Sequence, residues 1–440
     1  MTHRPRNPML HTLLTIQGNA KAAVWTEPLW GLSIMLVVPF ATLFMRELGL
    51  SGAQVGFLAT VTLLGQVACG ICAGVITDKI GRRRGTAIWD GIAWVGTSLI
   101  FMVAQNFWFF LAGALIQSTA PLTHAAWDGL LIEDAKREDI PKIYGLVRVA
   151  ADCAAFFAPI AIVIVNSLGL EQAVRILYAN AAVLMGLKIF LLYRYSTETR
   201  IGKERLEQTR GVRFSTLMAD YRGIFARHIW RGRGMIFSVS LMAVFAAVTL
   251  VNNSFWPLVV NEHLGVPDAL IPLFPMLRSG LSIVLFFTLI PRLTKAANLK
   301  RPTLWGFILY LAGQILLMVI PAAASAGGQA LDSGTVVGWY VYALLGATLL
   351  LDSFGAGMLF MLTESIVSLH VHLPERSRIM AILRAFVMLV AAPTGWITGV
   401  LFDWNRIAAF GVSVTLLAIG LLITSISWVA PHVTTAEIEV

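Results

Sequence analysis

Long apolar runs alternate with short polar loops along the whole chain. A helix that crosses the hydrocarbon core of a bilayer needs about 20 apolar residues, and twelve runs approach or exceed this length, six on each side of a polar stretch at 194–233. The sequence therefore predicts an all-α membrane protein with twelve transmembrane helices. The predicted spans are residues 22–44, 53–77, 86–104, 107–126, 143–166, 173–193, 235–260, 269–290, 303–320, 336–362, 379–401 and 407–429.

Composition supports a lipid environment. Of the 440 residues, 57% are hydrophobic and 13% are charged, whereas soluble domains are about 45–50% apolar and about 25% charged. A soluble protein of this length has too much surface to hide so many apolar side chains. Residues 1–21 are polar and the first apolar run is too long for a signal peptide.

Basic residues predict the orientation of the chain. The net charge is +9, but Lys and Arg concentrate in alternate loops, so we interpret them as topology signals rather than as a nucleic-acid surface. The loops on the other side hold few exceptions: Arg46, Arg175 and Arg406. We expect a multi-pass protein of the plasma or inner membrane with both termini in the cytoplasm. The predicted organisation is a bundle at 1–193, a basic cytoplasmic linker at 194–233 and a bundle at 234–440, with an amphipathic helix at 214–229.

The loop between spans two and three carries a motif. Residues 74–84 read GVITDKIGRRR, which resembles the signature loop of the major facilitator superfamily, G-x-x-x-D-[RK]-x-G-R-[RK]-[RK]. This resemblance implies two pseudo-symmetric six-helix bundles around a central cavity that opens alternately to either side. It also implies that Asp78 closes the cytoplasmic side by bonding to the start of span eleven near 377–378. The motif residues assigned to gating are Gly74, Asp78, Gly81, Arg82 and Arg83.

A weak internal repeat agrees with two related halves. Span five contains Arg148 near its start, and span eleven contains Arg384 in the corresponding place. An acidic residue closes the preceding span in each half, Glu133 and Glu364. We assign Glu364 to the gate, together with Asp134 at the end of span four.

Five charged residues lie well inside predicted spans. A charge at mid-bilayer costs roughly 2.5–3.5 kcal/mol, so five would cost on the order of 15 kcal/mol in lipid. They are therefore expected to pair or to face water, either as a solute and proton-coupling site or as structural ion pairs between helices. Asp352 or Asp152 would exchange a proton and an arginine would hold a polar or anionic group. The five are Arg148, Asp152, Arg278, Asp352 and Arg384.

Other charged residues have weaker assignments. Glu27, one turn inside span one, either binds protons or solute or extends to the cytoplasmic surface. Asp90 is expected to pair with the basic residues at 82–84, Lys188 to extend to the interface, and Asp128 and Asp134 to pair with the signature loop.

No phosphate-binding loop, nucleophile triad, metal-ligand cluster or cofactor motif is visible. Cys69 and Cys72 lie in an apolar run and are interpreted as small packing residues. We therefore expect a monomeric transporter, not an enzyme, that moves a small amphipathic or partly charged solute by proton coupling, with efflux preferred. An uptake carrier or uniporter of the same fold is one alternative, and a non-transporting receptor or scaffold is another.

Overall fold

Helices make up almost all of the described chain. The computed structural model describes residues 14–136, 139–217, 233–288, 299–326, 338–370 and 376–428. No strand occurs within these ranges. In lipid every backbone N–H and C=O must find a partner within the protein, and a helix provides these partners inside its own segment. The all-α prediction is confirmed.

The first half of the chain contains eleven of the named helices. Two short irregular helices interrupt them, a π-helix at Gly91–Gly96 and a 3-10 helix at Ala155–Phe157. The helices are α1 (Gly18–Met35), α2 (Val38–Glu47), α3 (Gly52–Ile80), α4 (Arg82–Asp90), α5 (Thr97–Met102), α6 (Phe107–Gln117), α7 (Ala120–Ile132), α8 (Ile140–Ala154), α9 (Ala158–Leu168), α10 (Leu170–Tyr195) and α11 (Arg200–Gln208).

The second half of the chain contains longer and less interrupted helices. A π-helix at Val259–His263 extends the first of them, and a 3-10 helix lies at Asp268–Leu270. The helices are α12 (Arg233–Leu258), α13 (Leu273–Thr288), α14 (Lys300–Ala326), α15 (Trp339–His370), α16 (Arg376–Trp404) and α17 (Ala408–Ile426).

Ten helical segments within the described residues are long and apolar enough to cross a membrane. The other two predicted spans, 86–104 and 107–126, fall on helices that are interrupted. The first runs through α4, the π-helix and α5, and the second is divided between α6 and α7. The count of twelve spans therefore stays a prediction.

The chain divides into two compact units. The N-terminal unit comprises Met1–Leu48 and Ala68–Ala219, and the C-terminal unit comprises Gly49–Val67 and Asp220–Val440. The first part of α3 thus belongs to the C-terminal unit. Helix α11, inside the predicted linker, belongs to the N-terminal unit.

The core of the N-terminal unit combines small residues with large aromatic ones. Small residues on α1 let its backbone approach α8, and a Cβ at Gly31 would lie 2.8 Å from the Cβ of Ala154. Phe44 and Phe110 are fully buried and meet edge to face with ring centroids 5.7 Å apart. Offset aromatic pairs of this kind add about 0.5–1.5 kcal/mol beyond their area burial.

The C-terminal unit is held by close helix contacts. A Cβ at Gly355 on α15 would lie 2.5 Å from the backbone nitrogen of Tyr310 on α14, so the two backbones meet only because Gly355 has no side chain. At the start of α3, the Asp403 carboxylate accepts hydrogen bonds of 2.7 Å from the backbone nitrogens of Gly52 and Ala53. An acidic group at a helix N-terminus is stabilised by the helix dipole.

Candidate functional site

The signature loop forms a compact ionic turn. Gly81 has φ = +90°, a conformation that side chains oppose. It places Arg82 so that Nη1 lies 2.8 Å from Asp78 and Nε lies 3.0 Å from Glu133. Arg82 is buried, so both carboxylates offset the cost of removing its charge from water.

The segment after α10 closes this turn from the other side. Glu198 accepts hydrogen bonds from the backbone nitrogens of Arg82, at 2.9 Å, and Arg83, at 3.1 Å. Arg83 donates to the backbone oxygen of Tyr193 at 2.6 Å and its guanidinium lies 3.9 Å from the centre of the Tyr193 ring. Sequence analysis did not find Glu198, because an acidic residue in a charged linker carries no distinctive spacing.

The structure describes only some of the residues assigned to the gate, and it corrects one of those assignments. The hydrogen bonds described for Asp134 come from Asn19 and from the backbone nitrogen of Arg200, so its assignment to the signature loop is wrong and Glu133 takes that place. Asp128 accepts a hydrogen bond from the Tyr144 hydroxyl at 3.5 Å, and its pairing with the signature loop stays a prediction. Gly74 lies within α3. The side chains of Glu364 and of residues 377–378 lie outside those described, so the latch between Asp78 and span eleven stays a prediction.

A buried polar network crosses the C-terminal unit from α12 to α15. Gln314 on α14 donates to Asp352 at 2.9 Å and to the side-chain oxygen of Asn252 at 3.2 Å. Asn252 donates back to Gln314 at 3.2 Å. The three side chains are at most 2% exposed. Neither Gln314 nor Asn252 was predicted, because an uncharged amide in an apolar run resembles an ordinary packing residue.

Asp352 retains one oxygen without a hydrogen bond. Oδ2 accepts the bond from Gln314, whereas Oδ1 is buried and has no hydrogen-bond partner among the described residues. Arg278 on α13 exerts the electrostatic attraction on this carboxylate. Gly313 lies against Oδ1, and a Cβ there would also lie 3.1 Å from the carboxyl carbon of Asp352. Arg278 and Asp352 are thus electrostatic neighbours within this unit, and their shared role in a solute and proton site stays a prediction.

A second cluster of buried charges lies in the N-terminal unit. Lys188 on α10 is 3% exposed and its Nζ lies 3.3 Å from Oε2 of Glu27 on α1. The prediction that Lys188 extends to the interface is wrong, because its ammonium points into the unit. Glu27 is likewise buried rather than extended to the surface. The pair is close enough for an ion pair, although Glu27 Oε2 makes no hydrogen bond of acceptable geometry in the described residues.

Asp90 belongs to the same cluster. It is 1% exposed, and its electrostatic neighbours are Lys188 and Glu27. Neither of its carboxylate oxygens has a hydrogen-bond partner within the described part of the chain. The predicted pairing of Asp90 with residues 82–84 is wrong, because Arg82 is taken by Asp78 and Glu133.

Aromatic rings surround Lys188. Its ammonium lies 5.6 Å from the ring centre of Trp127 and 6.0 Å from that of Trp30. Trp30 in turn meets Trp94 edge to face at 5.9 Å. Trp94 lies in the π-helix that begins immediately after Asp90, and π-helical turns concentrate at functional sites.

The remaining predicted charges divide between the units. Arg148 and Asp152 on α8 form an ion pair of 2.8 Å, as their spacing of four residues predicted. Arg384 on α16 is exposed. Convergence of all five charges stays a prediction.

Residues 29–351 match the family model of the Major Facilitator Superfamily. The match covers well over half of the chain. The chain belongs to the Major Facilitator Superfamily. The family resemblance predicted from residues 74–84 is thereby confirmed. As a member of this superfamily the protein is a membrane transporter rather than an enzyme.

Solved transporters share the superfamily fold of this chain. The nucleoside transporter NupG aligns with a TM-score of 0.67 at 14% identity, covering 93% of this chain and 98% of NupG. A POT family transporter in complex with 5-aminolevulinic acid gives a TM-score of 0.69 at 11% identity, covering 93% and 95%. A peptide transporter POT in complex with sulfate gives 0.67 at 14%, covering 96% and 98%. No curated protein matches the sequence. At these identities the likeness concerns the fold alone.

Proposed function

We propose that this superfamily member is a proton-coupled secondary transporter that moves a small, amphipathic or partly charged solute by alternating access, with efflux as the preferred direction. The observation that carries the proposal is the unpaired oxygen of Asp352. A buried carboxylate with one free oxygen requires a proton, a cation or a hydrogen-bond donor to offset its desolvation. A proton and a donor group on a solute are two occupants that can alternate there.

Arg278 provides a reason for the alternation. The guanidinium of Arg278 attracts the Asp352 carboxylate, so Arg278 offsets part of the negative charge there. A movement of α13 that withdraws Arg278, or a solute anion that engages it, leaves the carboxylate without a positive neighbour and favours proton uptake. Proton binding at Asp352 and solute binding at Arg278 would thus influence each other through one interaction.

The amide pair explains why this site holds its geometry. Gln314 fixes one carboxylate oxygen and is itself oriented by Asn252. Buried side chains linked in this way lose little further freedom when a ligand binds, which raises affinity. We assign Arg148, Asp152 and Arg384 to the polar lining of the same transport pathway, and Glu27 to proton coupling. The basic loops favour cytoplasmic termini.

The test is solute flux in proteoliposomes with and without a proton gradient. The solute panel begins with nucleosides, short peptides and 5-aminolevulinic acid, the kinds of molecule for which the structural neighbours are named. Asp352→Asn keeps the shape of the side chain and one oxygen that can accept the bond from Gln314, but it cannot titrate. We expect it to abolish proton-driven accumulation while solute exchange at equal pH persists.

Glu171→Gln is the matched control, because Glu171 is an acid on α10 that pairs at an exposed position with Arg175. It is expected to transport like the parent protein. Unchanged proton-driven flux in Asp352→Asn would refute the assignment of proton coupling to Asp352. If the solute moves in the same direction as the protons, uptake replaces efflux as the proposed direction of transport. Absence of flux for every solute would favour the receptor or scaffold alternative.

A further inference from the structure

The cluster of Glu27, Asp90 and Lys188 contains an imbalance of charge. All three residues are at most 5% exposed, and they lie on three different helices, α1, α4 and α10. Two acids and one base cannot all be ionised without leaving one negative charge unopposed. A buried charge that is not neutralised by a partner usually takes up or releases a proton instead.

The cation whose charge acts on Asp90 is Lys188. The packed neighbours of Asp90 are α7, α10 and the π-helix. Helix α10 contributes Lys188, and α7 carries His124, whose ring lies 6.5 Å from that of Trp94, and Asp128, which lies near Tyr144. The π-helix carries no ionisable side chain.

The charged groups at the edges of the cluster are already paired. Arg82, on the same helix as Asp90, binds Asp78 and Glu133. On α8, which packs against α1, Arg148 binds Asp152. Lys188 is thus the cation that lies against Glu27 and acts electrostatically on Asp90.

We propose that Glu27, Asp90 and Lys188 form a proton-binding site in the N-terminal unit, in which the two carboxyl groups share one exchangeable proton. Lys188 balances one carboxylate and the proton neutralises the other. The site is chemically separate from Asp352, which lies in the C-terminal unit. The inference rests on the proposed proton coupling for its role in transport, but the presence of the proton does not depend on it.

A proton fits this site better than a larger cation. The Lys188 ammonium already lies against Glu27, and the rings of Trp30 and Trp127 cover it. Asp90 has two oxygens without hydrogen bonds in the described chain, and the described residues contain no group of three or more His, Cys, Asp or Glu side chains that could hold a metal ion. A proton satisfies a carboxyl group without further ligands. The π-helix after Asp90 provides an irregular turn through which a change in charge can alter helix packing.

Infrared spectroscopy of the full-length protein in lipid nanodiscs counts the carboxyl groups that are protonated at neutral pH. We expect Asp90→Asn to lose one protonated carboxyl per chain relative to the parent protein. Glu27→Gln should lose one as well, because Asp90 then pairs with Lys188. Lys188→Met should gain one, because both acids must then be neutral. The double variant Asp90→Asn with Lys188→Met should return to the parental count.

A shared proton predicts fewer protonated carboxyl groups in Asp90→Asn and more in Lys188→Met, whereas a purely structural ion pair does not predict this pair of opposite changes. If Lys188→Met shows the parental count, or if Asp90→Asn loses none, the proposal is overturned. Glu27→Gln provides an independent answer if Asp90→Asn does not fold. Asp352→Asn distinguishes the two proton sites, because any carboxyl signal that it removes must be additive with the change in Asp90→Asn. If Asp352→Asn loses proton-driven flux but the Asp90 variants keep the parental number of protonated carboxyl groups, the proposed function stands and the second proton site is rejected.

Discussion

The two units each bury a polar cluster, but they stabilise it by different chemistry. In the N-terminal unit, Lys188 lies near two acids, Glu27 and Asp90, and two tryptophan rings. Oε2 of Glu27 and both carboxylate oxygens of Asp90 have no hydrogen-bond partner in the described part. In the C-terminal unit, Asp352 is held by an amide pair with well-formed hydrogen bonds. The first cluster depends on charge attraction, and either of two acids can balance Lys188. The second depends on hydrogen bonds of defined direction to a single acid. We expect the first to tolerate loss of one carboxyl group and the second to be sensitive to small displacements.

Loss of both acids around Lys188 should have the largest effect on stability. The double variant Glu27→Gln with Asp90→Asn leaves a buried ammonium without a counter-charge. Breaking a buried ion pair on one side costs about 3–5 kcal/mol, and we expect the free energy of unfolding in detergent to fall by about this amount. Each single variant should lose much less, because the other acid remains.

Adding Lys188→Met to that double variant provides the control. The triple variant has no buried charge in the cluster, and an apolar side chain of similar length replaces the ammonium, so most of the lost stability should return. If the double variant is no less stable than the singles, the two acids do not act as alternative partners of Lys188.

Displacement of Asp352 is the next largest effect. Gly313→Ala places a Cβ against Oδ1 of Asp352 and 3.2 Å from its backbone nitrogen, so the carboxylate must turn away from Gln314. Loss of this buried hydrogen bond should cost about 1–3 kcal/mol, measured as the change in free energy of unfolding. The same substitution should also weaken proton-driven flux.

Gly346→Ala is the matched control on α15. A Cβ at Gly346 meets nothing within 4 Å, and alanine favours a helix over glycine by about 0.5–1 kcal/mol. It should leave stability equal or slightly higher. Equal effects of the two alanines would show that the carboxylate position does not matter.

The difference between the clusters also explains what sequence analysis found. Asp352 and Arg278 stand alone in long apolar runs, where the cost of a charge makes each conspicuous. Lys188 lies seven residues before the end of α10, and a long flexible side chain there can reach either the interface or the interior. Periodicity does not distinguish the two, so its buried pairing was missed.

The signature loop also has a binding partner that the sequence did not predict. Its motif predicted the family, because Gly81 and Asp78 occur at fixed spacing in a basic loop. The motif did not reveal that Glu198, more than 100 residues away in the chain, binds the backbone at Arg82 and Arg83. Partners that are distant in sequence depend on how the helices pack, which a local pattern does not contain.

The smallest effect should come from the aromatic side of the ionic cluster. Trp127 lies 5.6 Å from the Lys188 ammonium, within the range of a cation–π interaction worth about 0.5–1 kcal/mol or more when desolvated. Trp127→Phe weakens that interaction, but it also removes an indole N–H that has no hydrogen-bond partner in the described residues. The net change in stability is therefore small and does not isolate the interaction.

A double-mutant cycle with Lys188→Met separates the two contributions. The loss of the unpaired N–H and the smaller ring are common to both backgrounds and cancel, whereas the attraction exists only when the ammonium is present. We expect a coupling free energy of about 0.5–1 kcal/mol between the two positions. A coupling of zero would mean that the rings only exclude water from the cluster. The charge of Lys188 would then be stabilised by the two carboxyl groups alone.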